Sequence, residues 1–93
     1  LYTVDTITKA INEKKKIRYQ YQEYDGKKRK ILRNDGEVYV LSPYMLYWNE
    51  DFYYVVGYSD KRETITAFRV DRIVNNCKCQ YPYVQKVEYF NVQ

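Results

Sequence analysis

Ninety-three residues with a net charge of +4, a pI near 9.0 and 45% hydrophobic side chains specify one small domain, which buries only about 60 to 65% of its unfolded surface and is mildly attracted to anionic partners. Histidine is absent and cysteine occurs twice, which excludes serine or cysteine triads of the usual kind and leaves too few ligands for a zinc site. No apolar run approaches the roughly 18 residues of a membrane span, so a soluble, cytoplasmic module is expected, and the start at Leu1 without a basic-then-apolar leader suggests a piece of a longer protein.

The first segment, TVDTITKAINEKKK, places Val4, Ile7, Ala10 and Ile11 at the one-face spacing of an amphipathic helix. Thr3 or Asp5 is a candidate cap, and Lys14, Lys15 and Lys16 suit the negative end of the helix dipole. From Ile17 the period changes to two: IRYQYQEY puts Ile17, Tyr19 and Tyr21 on one face and Arg18, Gln20 and Gln22 on the other, a half-buried strand. Asp25-Gly26 and Asp35-Gly36 are turn dipeptides whose glycines accept the positive φ of tight hairpins. Between them KKRKILR reads as a short edge strand, its lysines discouraging sheet-to-sheet pairing.

EVYVLSPYMLYWN is a long extended run interrupted by Pro43, which cannot donate to a ladder, so two strand pieces with a corner are expected. FYYVVGY, after the turn Asn49-Glu50-Asp51, is the most β-prone stretch, and Gly57 within it implies curvature or close backbone approach. The turn SDKRE leads into TITAFRV, with Thr66, Phe68 and Val70 on one face and Ile65, Ala67 and Arg69 on the other. A further strand is expected around IVNNCKCQ; its Cys77 and Cys79, one residue apart, read as reduced thiols because a mutual disulfide at that spacing would be strained. The predicted fold is therefore mostly β with one N-terminal helix: a small, strongly bent antiparallel sheet or barrel of about five strands. Residues 1–80 form the domain and residues 81–93 a tail or the start of a further segment.

Catalysis is not expected. There is no glycine-rich phosphate loop or metal-ligand spacing, and the acidic residues sit mostly in turns without a visible partner, so no catalytic residue, cofactor or metal is assigned. What remains is a β-rich surface with aromatic rings interleaved among positive charges, a combination that suits single-stranded nucleic acid: bases stack on rings and arginine forks hold phosphates. Thirteen tyrosines also have a plainer use, since rings such as Tyr19, Tyr21, Tyr39, Tyr53 and Tyr58 can simply cover the sheet. Likewise Arg69 and Arg72 could each pair with Asp71 or Glu63. They point the same way only if the strand breaks into a helical hook after Val70.

The order of ITKAINEKKKIRYQY, LSPYMLYWNEDFYYVVGYSD and TAFRVDRI over roughly residues 4 to 75 resembles the WYL domain. The family's Trp-Tyr-Leu triplet is replaced here by Tyr53-Tyr54-Val55, and a histidine common just before the last motif is replaced by Ala67. The resemblance implies an Sm-like, SH3-like β-barrel preceded by a helix. It also implies a place C-terminal to a winged helix-turn-helix in a bacterial transcription regulator, homodimeric at full length, whose DNA binding responds to single-stranded nucleic acid or a nucleotide-like ligand. By the same resemblance Ser42, Tyr44, Tyr54, Arg69 and Arg72 are site residues, with Lys30 and Arg33 of the charged edge strand as weaker extensions. Two other uses fit the sequence: a dimerisation or docking module, and a sensor fused to a nuclease or helicase.

Overall fold

A computed structural model describes residues 2–85. Helix α1 (Tyr2–Glu13) precedes strands β1 (Lys15–Tyr24), β2 (Lys30–Leu32), β3 (Tyr39–Asn49), β4 (Phe52–Ser59), β5 (Thr64–Arg69) and β6 (Ile73–Pro82), with 3-10 turns at Arg33–Gly36 and Val70–Arg72. All pairings are antiparallel. The strand order is β2-β1-β3-β4-β5, and β6 also pairs with β1. Because β5 runs into β6 through the Val70–Arg72 turn alone, the five long strands curl into a half-barrel, as the small bent sheet expected from the sequence requires. Among the described residues no helix is long and apolar enough to cross a membrane.

Alternation in β1 holds: Ile17, Tyr19 and Tyr21 are buried while Arg18 is exposed. Tyr19, Tyr21, Tyr39 and Phe68 form the aromatic centre, with ring centroids 5.1–6.4 Å apart and mostly edge-to-face, each such pair contributing about 0.5–1.5 kcal/mol beyond the area it buries. Ile7 and Ala10 of α1 close this core from outside the sheet. Burial pushes the Tyr19 hydroxyl's pKa up, so that ring stays neutral. Tyr53, in contrast, is exposed rather than covering the sheet.

Local differences from the sequence reading have physical causes. The lysines do not end the helix: Lys14 is left-handed (φ 58°), its N–H donating to the Ile11 carbonyl (3.2 Å), while Lys15 and Lys16 already belong to β1. The Thr3 hydroxyl accepts from the Asn76 amide (3.0 Å), fastening α1 to β6. In the first turn the left-handed residue is Lys28 (φ 63°), not Gly26, because the Asp25 carboxylate accepts the N–H groups of Lys27 and Arg29 and fixes the loop itself. The second turn joins no hairpin. Asn34, Asp35 and Gly36 are all left-handed, and they carry the chain from β2 to β3, both of which pair with β1. Nor does Pro43 split the long run: β3 is one strand whose register shifts between Pro43 and Met45, a bulge that absorbs the missing donor. Finally, β6 continues to Pro82, past the boundary expected at residue 80, and the Tyr83 N–H donates to the Lys14 carbonyl (2.9 Å). Residues 86–93 of the expected tail lie outside the described residues.

Candidate anion-binding site

The break after β5 is the feature on which a two-arginine site depends. Arg69 is the last residue of β5 and still extended (φ −70°, ψ 126°), after which Val70–Arg72 winds one 3-10 turn with Val70 buried. In a 3-10 helix side chains three apart eclipse one another. A continuing strand would send Arg69 and Arg72 to opposite faces, whereas here both line one concavity of about 150 Å³ together with Lys30, Gln22, Tyr24 and Asp71. Lys30 arrives because the β1–β2 hairpin pairs it with Tyr24.

Each cation is held differently. The Arg69 guanidinium is bidentate to Asp71, Nε to Oδ1 at 3.0 Å and an Nη to Oδ2 at 2.7 Å, and it lies over the Phe52 ring at 3.7 Å. That pairing leaves its side chain only 24% exposed, so Asp71 orients one face of the fork. The Arg69 backbone N–H donates to the Tyr21 hydroxyl (3.0 Å), which ties the site to the aromatic core. Arg72 stands 6.0 Å from the Tyr24 ring centroid, and its buried Nε has no hydrogen-bond partner among the described residues. An unpaired buried donor on a charged group is costly unless a ligand or water completes it. Three cations against one carboxylate leave the concavity net positive.

Only three of the seven sequence-derived candidates, Lys30, Arg69 and Arg72, line this concavity. Ser42 is fully buried, and its hydroxyl accepts the Val84 N–H (2.9 Å). Tyr44, also buried, donates its hydroxyl to the Val84 carbonyl (2.6 Å), with its ring edge-on to Tyr83. Their hydroxyls therefore hold Val84, just after β6, against β3. Tyr54 sits opposite Arg69 in the β4–β5 register, and its half-buried ring stacks on Tyr47 (5.4 Å, 17°) outside the concavity. Arg33 pairs with Glu23 (3.2 Å) and covers the Tyr21 ring at 4.6 Å. Gln22, Tyr24 and Phe52 were missed, although the period of two in β1 already places Gln22 and Tyr24 on its outward face.

Several carboxylates titrate low. Hydrogen bonds from Arg69 hold Asp71 below its ordinary value of 3.8; backbone N–H bonds, first from Arg29, do the same for Asp25; and Lys61 holds Glu37 below 4.5. A carboxylate depressed in the folded state stabilises above its unfolded pKa, and this stabilisation is lost as pH falls through the lower folded value. The melting temperature is therefore expected to fall on acidification from about pH 5 to pH 2.5, and Asp71→Asn should remove part of that fall. Thermal melts followed by circular dichroism measure both, and a pH-independent melting temperature contradicts the assignment.

A family model described as the WYL domain matches residues 2–76. Comparison with curated protein sequences gives no match. Among solved structures the chain is similar to proteasome accessory factor B/C (PafBC) of Arthrobacter aurescens, with a TM-score of 0.73 and 20% identity over 90% of this chain. At that identity the likeness is one of fold. The chain spans 12% of that protein's length.

Proposed function

We propose, from the premise that this chain belongs to the WYL-domain family, that it is a non-catalytic, ligand-sensing regulatory domain whose Lys30, Arg69 and Arg72 concavity binds single-stranded nucleic acid or a nucleotide-like anion. The carrying observation is the 3-10 turn that brings both arginines to one net-positive hollow, where the β1–β2 hairpin adds Lys30 and an exposed Tyr24. Phosphate oxygens satisfy arginine forks, and a base has Tyr24 on which to stack. In the full-length protein such binding would alter DNA binding by an adjacent helix-turn-helix, in a homodimer of a bacterial transcription regulator. The fold likeness to part of PafBC supports the architecture of this reading.

The test is fluorescence anisotropy with a labelled oligothymidylate at a series of salt concentrations. Log affinity should fall with log salt with a slope of about 0.7 for each phosphate neutralised, so about 2 for the three cations. A flat salt dependence, or no binding at low salt, retires the proposal. A second reading, docking of another protein, draws on the exposed Trp48 and Tyr53 rings at the tip of the β3–β4 hairpin, in T-shaped contact at 4.9 Å. Concentration-dependent sedimentation that Trp48→Ala abolishes, without oligonucleotide binding, would favour it.

A further inference from the structure

We infer that the outward face of β1 carries a second anion-binding basin, so that a single-stranded nucleic acid lies along this strand across both basins rather than a mononucleotide filling one. The inference rests on the reading that the Arg69 and Arg72 concavity takes single-stranded nucleic acid. A second hollow, of about 670 Å³, lies apart from that concavity, lined by Lys16 and Arg18 of β1, Val40 of β3, Asp60, and Lys78 and Tyr81 of β6. Its composition repeats that of the first. Three cations face one carboxylate, Asp60, and an exposed tyrosine forms the rim, Tyr81 here and Tyr24 there. Basic grooves edged by stacking rings are how small β-barrels hold single strands without sequence preference.

Two of this basin's cations are already engaged, Lys16 with Asp60 (3.0 Å) and Lys78 with Glu13. Arg18 differs. It is exposed, it has no carboxylate partner among the described residues, and its guanidinium rests against the thiols of Cys77 (3.4 Å) and Cys79. A thiol is a weak acceptor for a charged donor, so Arg18 keeps its capacity for a phosphate.

The two basins open on the same face because β1 keeps its alternation throughout. Pairing of β1 with β6 slips twice, between Lys15 and Ile17 and between Arg18 and Gln20. In both cases the extra residues fall in β6, one of them beside the left-handed Asn75 (φ 53°), whose amide donates to Gln20 (2.6 Å). Lys16, Arg18, Gln20, Gln22 and Tyr24 therefore form one outward row, with the neutral Gln20 and Asn75 pair between the charged ends. Four residues from Arg18 to Gln22 span about 13 Å of strand, too far for one mononucleotide and within reach of a short oligonucleotide. Single barrels of related design accommodate from about four nucleotides upward.

Anisotropy with labelled two-nucleotide and eight-nucleotide oligothymidylates tests this on the full chain. Wild type should bind the longer probe more tightly. Arg18→Ala should weaken the longer probe roughly tenfold, leave the shorter one unchanged, and reduce the salt slope for the longer probe by about 0.7. Arg18→Lys, which keeps the charge, should recover most of the loss, separating binding from any change in folding. If Arg18→Ala binds the longer probe like wild type, or loses both probes equally, the second basin is wrong while the first site stands. If wild type binds neither probe, the reading beneath it fails as well.

Discussion

Gly57→Ala is expected to destabilise the domain by at least about 3 kcal/mol, a large part of the stability of a chain this small. Gly57 lies opposite Pro43 in the β3–β4 ladder. A Cβ there would stand 2.1 Å from the Ser42 carbonyl oxygen, 2.8 Å from its carbon and 3.0 Å from the Pro43 Cα. All three are backbone atoms, so no side chain can swing away, and relief requires β3 to move off β4. Ser42 and Val55 are fully buried close to this contact, and such movement would open the core. Urea denaturation measures the effect, with an expected fall in midpoint of about 1 to 3 M at an m-value typical of small domains. A midpoint within the error of wild type would show that the strands do not approach this closely. Gly26→Ala is the control: nothing lies within 4 Å of its Cβ position, and its φ is not in the left-handed region.

The double variant Arg69→Ala with Arg72→Ala should lose oligonucleotide binding and keep its fold. Each charge-assisted arginine–phosphate contact contributes about 1.5–3 kcal/mol, so removing two lowers affinity by roughly a hundredfold to ten-thousandfold. The structural cost is smaller. The Arg69 and Asp71 pair lies at the surface, where such pairs contribute about 0–1 kcal/mol, and the buried Nε of Arg72 has no protein partner to lose among the described residues. Anisotropy and a thermal melt on the same sample separate the two effects. Unchanged affinity in a folded double variant would end the assignment of these arginines as the anion grip.

Legibility followed the range of the interactions. The Ile17, Tyr19 and Tyr21 face, the amphipathic α1 and the close approach at Gly57 could be read because each depends on neighbours a few residues away or on a missing Cβ. The turns were only half legible. At Asp25 the carboxylate captured two N–H groups and moved the left-handed position to Lys28. Least legible were the partners of Ser42 and Tyr44, whose hydroxyls meet Val84 some forty residues along the chain. No local pattern in SPY announces that contact.

By itself the amino-acid sequence determined the alternation of β1, the apolar face of α1, the excess of positive charge and the family resemblance, since all of these are written in residue type and spacing. Only the tertiary structure decided which cations share a hollow. The spacing of Arg69 and Arg72 is compatible with opposite faces of a strand or with one side of a 3-10 turn, and the 3-10 turn at Val70–Arg72, which keeps Val70 buried, selects the second. Lys30 joins them through a hairpin, and among the described residues Arg18 is left without a carboxylate because the acids nearby pair with lysines instead. Charge is a property of residues, but a binding site is a property of distances between them, and those distances are fixed by the packing of a core that contains none of the charges.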